Sequence, residues 1–244
     1  MVLTLYHFPP SAPSRGALLA AHAVGVNVDV QVLNLFKKEQ LKSDFVKINP
    51  QHTVPTLVDG EFVVWESSAI AAYLVNQYGK DDTLYPKDLM KKALVDQRLQ
   101  FNCTMLYPRV RAICFPILYQ DEIEMHDEQK APVDEALGFL DVYLDGNDFV
   151  CGDKLTIADC LLVASVATIA AIGWDLTSYA NVYSWVSRCA LEIPNYVEVN
   201  QKGADEFGKA TGKDCRPPVA KPLLEWAVPS VEVNAAHYKN VAYG

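Results

Sequence analysis

The chain has 244 residues, half of them hydrophobic, enough for a sizeable core in one or two domains without disulfides or metals. Its formal net charge of −9 argues against partners that need a basic face, namely nucleic acid and anionic membranes. Six scattered cysteines (103, 114, 151, 160, 189 and 215) make no C-x-x-C, and five histidines make no H-x-x-x-H, so no metal framework is read.

Val2–Phe8 alternates and is rich in β-formers, which predicts a first strand. Pro9-Pro10 breaks it. Ser11-Ala12-Pro13-Ser14-Arg15 then opens a helix that Gly25 stops. Val28–Leu33 alternates again, a second strand reached through a crossover helix and therefore parallel to the first. Lys37–Ile48 reads as a polar connector, irregular or briefly helical.

Ile48–Tyr73 carries the densest signals. Thr56–Val58 and Phe62–Trp65 are strands around the hairpin dipeptide Asp59-Gly60. Pro55 suits a strand's first residue, since it cannot donate to a ladder, and a cis Val54-Pro55 bond is expected. That bond would turn the Val54 backbone outward for a peptide-like ligand. Glu66-Ser67-Ser68 opens a helix whose first N–H groups suit a carboxylate. The order β-α-β, connector, β-β-α is that of a thioredoxin-like domain.

Tyr78–Asp82 begins a linker, and strand signals vanish from about Leu89. Helices are predicted over Leu89–Tyr119, Val133–Leu144, Ile157–Ile172, Val182–Leu191 and Tyr196–Phe207, with a kink at Pro108. Thr156-x-x-Asp159 is a capping pattern with no catalytic part. The longest weakly polar run, Cys160–Gly173, is shorter than the about 20 residues of a membrane span. No basic-then-apolar leader opens the chain, and reduced thiols suit a cytoplasmic protein. The expected partition is 1–80, 89–208 and a proline-containing extension over 209–244, where Trp226 and Tyr238 could dock.

V-P-T-L at 54–57 with W-E-S-x-A-I at 65–70, preceded by S-A-P-S-R and N-P-Q-H-T, resembles the cytosolic glutathione transferases of delta/epsilon type. The resemblance spans roughly residues 3–208, specifically in the first eighty and more loosely after. It implies an α/β thioredoxin-like N-terminal domain, an all-α C-terminal domain, a homodimer, and glutathione as co-substrate with no metal. It implies Ser11 as the catalytic serine. It places glutathione against Gln40, His52, Thr53, Val54, Pro55, Glu66, Ser67 and Ser68, with His52 at the glycine carboxylate and Glu66 and Ser67 at the γ-glutamyl end. Tyr107, Val110, Arg111, Phe115 and Phe207 would line the site for small hydrophobic electrophiles.

The chemistry asked of Ser11 is modest. A free thiol has a pKa near about 8.5, and lowering it by about two units asks for roughly 2.7 kcal/mol. One charged hydrogen bond plus a helix terminus supplies that. Serines at 11 and 14 have the C-x-x-C spacing without a thiol, which excludes disulfide exchange there. Two positions depart from the resemblance: Gln40 stands where histidine is usual, and Ser68 where arginine is usual. Asn102 stands where an acidic residue is often found, and the expectation is that this residue and the arginine were lost as a pair, leaving a neutral network. A non-catalytic carrier of hydrophobic ligands is the competing expectation.

Overall fold

The first strand, β1 (Leu3–His7), alternates between buried and half-buried side chains and lies inside a four-stranded sheet. Its parallel neighbour β2 (Asp29–Val32) is an edge strand with all four residues exposed. On its other side β3 (Thr56–Asp59) runs antiparallel, Leu5 facing Leu57, and the hairpin partner β4 (Phe62–Trp65) completes the order β2-β1-β3-β4. The computed structural model describes residues 3–119 and 127–211. The expected docking residues Trp226 and Tyr238, like Cys215, lie outside them.

Helix α1 (Ala12–Val24) connects β1 to β2, capped by Ser11 and ended by Gly25 at φ 79°. The left-handed backbone there suits a residue without Cβ. The connector before β3 holds a 3-10 turn at Glu39–Leu41 and the short helix α2 (Ser43–Ile48). After the hairpin comes α3 (Ser67–Tyr78), tied back to it by the Tyr73 hydroxyl, which donates to Asp59 at 2.6 Å. The Tyr78 hydroxyl donates to the same carboxylate.

The C-terminal domain is helical. Helix α4 (Leu89–Phe101) runs through a π turn at Asn102–Leu106 into α5 (Tyr107–Tyr119). A wide π turn stands just before Pro108, the position where a kink was expected. A proline lacks the N–H that the carbonyl four residues back would receive, and the π turn re-pairs that stretch. Helix α6 (Asp127–Tyr143) begins before the expected Val133, with Pro132 inside it. Then follow α7 (Ile157–Ala171), α8 (Ala180–Glu192), a second π turn (Val197–Gln201) and α9 (Lys202–Ala210).

Helix α7 is the hub. Every residue from Ile157 to Ile169 is buried, and α1, α4, α8 and α9 pack around it. Gly16 lets α1 approach closely: a Cβ there would sit 3.0 Å from the Leu161 Cα. The capping pattern at Thr156 is present as a full capping box. Its Asp159 is wholly buried and accepts from the Val150 N–H (2.9 Å), the Thr156 N–H (2.8 Å) and hydroxyl (2.9 Å), and the Trp185 indole (2.9 Å). Burial pushes that carboxyl's pKa up, and the four donors act against the push. Among the described residues no helix is long and apolar enough to cross a membrane.

Candidate active site

The two serines of the first helix part company. Ser14 is fully buried, and its Oγ accepts the Phe8 N–H at 3.4 Å. Ser11 is half-buried, and its Oγ accepts the Ser14 N–H at 3.4 Å. Its role as N-cap uses a lone pair, while its hydroxyl hydrogen has no acceptor among the described residues. Ser11 thus offers a donor at the positive end of a 13-residue helix.

The loop ahead of β3 forms a second feature. The Val54-Pro55 peptide bond is cis, as expected. Pro55 is buried and Val54 half-buried. Among the described residues nothing takes the backbone N–H or C=O of Val54. His52 and Thr53 are exposed, and His52 has φ 47°.

What holds this loop was missed in the sequence. Asn49 is wholly buried, and its amide donates to the Thr53 carbonyl (3.1 Å), the Thr53 hydroxyl (3.1 Å) and the Thr56 hydroxyl (2.9 Å). Its carbonyl oxygen accepts the Gln51 N–H at 2.9 Å. One side chain therefore fixes the loop from within. The signal was there: an Asx turn opening a proline-rich stretch, I-N-P-Q, is a recognisable device.

Glu66 precedes α3 with φ 72° and no side-chain cap, a conformation L residues seldom adopt. Ser67 is buried and Ser68 half-buried. The Ser68 hydroxyl lies 3.3 Å from the exposed Cys103 thiol on the first π turn. Asn102 beside it is buried and accepts from the Ser165 hydroxyl at 2.9 Å. The positions expected to carry an ion pair thus belong to neutral hydrogen bonds. Gln40, in the 3-10 turn, buries a side-chain oxygen that has no partner among the described residues.

The residues expected on the electrophile side divide. Val110 and Phe207 sit in the hydrophobic core, 1% and 8% exposed. Tyr107 is half-buried on α5. Arg111 is exposed, its guanidinium carbon 4.1 Å from the ring centre of Phe115, itself 40% exposed. Among the described residues no group of three or more His, Cys, Asp or Glu could hold a metal.

Comparison with known proteins agrees with this geometry. The family description "Glutathione S-transferase, N-terminal domain" matches residues 1–76, and "Glutathione S-transferase, C-terminal domain" matches residues 94–192. Glutathione S-transferase D7 of Anopheles gambiae is 43% identical over 207 residues, 84% of this chain and 94% of that protein. A delta-class glutathione transferase of Nilaparvata lugens superposes with a TM-score of 0.83 at 44% identity, covering 86% of this chain and 98% of its own. Glutathione S-transferase unclassified 2 of Bombyx mori superposes at 0.84 with 49% identity, covering 89% and 100%. A thioredoxin-like sheet domain, a helical second domain and these matches over most of the chain make this protein a member of the glutathione S-transferases, an enzyme allied to their insect delta and epsilon classes.

Proposed function

We propose that the chain conjugates glutathione to small hydrophobic electrophiles by holding the bound thiol as thiolate against the Ser11 hydroxyl. The observation that carries this is the division of labour at Ser11. Its oxygen is engaged as a cap acceptor, and its hydrogen is left for a ligand. The start of α1 adds a favourable dipole for an anion. A thiolate so held attacks directly, without a covalent enzyme intermediate.

In this reading the Val54 backbone pairs with the cysteinyl unit of glutathione, beside His52, Thr53 and Pro55. The helix start at Glu66, Ser67 and Ser68 takes the γ-glutamyl end, with Gln40 alongside. The electrophile lies toward α5, where Arg111 over Phe115 puts a cation beside an apolar ring. The exposed Leu89 and Met90, with Phe62 on the hairpin, support a homodimer. The role would be detoxification in the cytoplasm.

The test is conjugation of an aryl halide by wild type, Ser11→Ala and Ser14→Ala, after capture on immobilised glutathione. At neutral pH, losing a two-unit shift cuts the thiolate fraction by roughly twenty-five-fold. Ser11→Ala should therefore lose about that much kcat/KM while still binding glutathione. Ser14→Ala should stay near wild type apart from stability. Equal turnover by Ser11→Ala refutes the assignment, and a wild type that binds hydrophobic dyes but conjugates nothing is a carrier.

A further inference from the structure

On the core face of the sheet β1 places Leu5 and His7, 0% and 4% exposed. Their register partners on β2, Val30 and Val32, point to the same face but are 36% and 58% exposed. The apolar face of the sheet therefore runs on past its cover. Phe36, just beyond β2, has one side on Phe8, the ring centres 5.2 Å apart, and is itself exposed. β2 is the outermost strand, so its far edge has no ladder partner among the described residues. A bare apolar edge of this kind invites a further strand.

The chain holds a segment of matching chemistry. Residues 212–244 follow the last described residue, Thr211. The Bombyx mori relative is spanned completely by 89% of this chain, so the chain carries a surplus that the shared fold does not use. From Pro222 to Ala236 apolar residues stand at 224, 226 and 228, then at 231 and 233, the period of a strand. The only charges in that stretch are Glu225 and Glu232. Beside Phe36 stand the exposed Lys37 and Lys38, neither of which makes an ion pair among the described residues.

Reach is sufficient. Gly203, at the start of α9, lies against Pro9, two residues past the end of β1. Thr211, eight residues on, stands about 12 Å further along the helix. Residues 212–222 in extended form span about 35 Å, more than the way back.

We propose that Leu223–Val233 of this chain's own C-terminal extension lies along the outer edge of β2. It covers Val30, Val32 and Phe36, and Glu225 and Glu232 stand toward Lys37 and Lys38. Apolar burial supplies the affinity, and the charges fix the placement. The inference does not depend on the assignment of Ser11.

The experiment uses the full-length protein throughout. A zero-length carbodiimide, which joins a carboxylate directly to an amine, should couple Glu225 or Glu232 to Lys37 or Lys38, as read by peptide mass spectrometry. In a mixture of isotopically light and heavy protein the products should stay within one copy. Hydrogen exchange supplies an independent measure. Amides of residues 29–38 should exchange about tenfold faster in the variant Trp226→Asp with Val231→Asp, whose changes lie outside the folded body. Lys37→Glu with Lys38→Glu should speed exchange too, and adding Glu225→Lys with Glu232→Lys should slow it again. Exchange at 29–38 that ignores the tail substitutions overturns the proposal, as does coupling of the two glutamates to lysines elsewhere. Light-to-heavy products make a second copy the occupant and overturn it as well. A charge swap that restores nothing overturns the placement of the glutamates on Lys37 and Lys38.

Discussion

The Ser68 hydroxyl and the Cys103 thiol meet at 3.3 Å, joining the start of α3 to the π turn between α4 and α5. A neutral contact therefore bridges the two domains where the family resemblance suggests an arginine and a carboxylate. The carboxylate's place, Asn102, is 6% exposed and already serves Ser165 as an acceptor. If the charged groups were lost together, restoring one alone should hurt more than restoring both.

Asn102→Asp buries a carboxylate without a cation and should cost about 2–3 kcal/mol. Adding Ser68→Arg should recover about 1 kcal/mol or more, a coupling that a double-mutant cycle isolates. Thermal unfolding and calorimetric glutathione binding measure the four corners. Strictly additive effects would show that the two positions do not act as a pair.

Asp159 supports a second prediction. It gathers Val150, Thr156 and Trp185 around one buried carboxylate, fixing the turn before α7 to α8. Asp159→Ala strands those donors, and each buried donor left unpaired costs about 1–3 kcal/mol. We expect a loss of about 4 kcal/mol, or roughly 10 °C in thermal midpoint for a chain of this size. Trp185→Phe removes one bond and should cost about a third as much. Urea unfolding checks both, and glutathione affinity in the folded fraction should be unchanged.

Much of the loop ahead of β3 and of the start of α3 was legible because its determinants are local. Pro55 next to Val54, the turn at Gly60 and the serines opening α3 each announce themselves within a few residues. Arg15 was legible only as a basic residue inside an apolar helix. Its hydrogen bonds go to Asn200, 185 positions away, and to carbonyls that any sequence would supply. The π turn at Asn102–Leu106 was invisible for another reason: proline says that a hydrogen bond is missing, not which neighbouring turn widens to absorb it. Val110 and Phe207 show the limit of apolar patterning, which marks burial and is silent on whether core or ligand lies alongside.

His7 gives a pH prediction. The ring is 4% exposed, its Nδ1 has no partner among the described residues, and burial together with the nearby Arg15 charge lowers its pKa to about 4 from the usual 6.5. A histidine with a depressed folded pKa stabilises fully above the unfolded value. Below pH 6.5 the unfolded chain takes up a proton that the folded chain refuses until about pH 4. Stability should therefore fall across that window, by up to about 3 kcal/mol from this residue. His7→Phe should flatten that part of the acid limb in urea titrations run at a series of pH values. Parallel curves for the two proteins would assign the acid sensitivity elsewhere.

Gly203, on α9, is set against the turn that carries Ser11. A Cβ added there would fall 2.3 Å from the Pro9 carbonyl oxygen and 2.6 Å from the Arg15 Cδ. Neither contact is tolerable, and the first is backbone, so α9 or the turn must move. Gly208, five residues on, offers a control on the same helix: its Cβ would meet the Ala171 carbonyl oxygen at 2.5 Å, away from Ser11. Overpacking should cost Gly203→Ala and Gly208→Ala similarly, about 1–3 kcal/mol each. Only Gly203→Ala should also raise the bound thiol's pKa and lower kcat/KM at neutral pH, by about threefold if the shift is one unit. Thermal unfolding sets the two variants on one scale, and the thiolate absorbance separates them. Equal thiol pKa values in both variants would mean that α9 supports the fold without holding the Pro9–Ser11 turn in register for the chemistry.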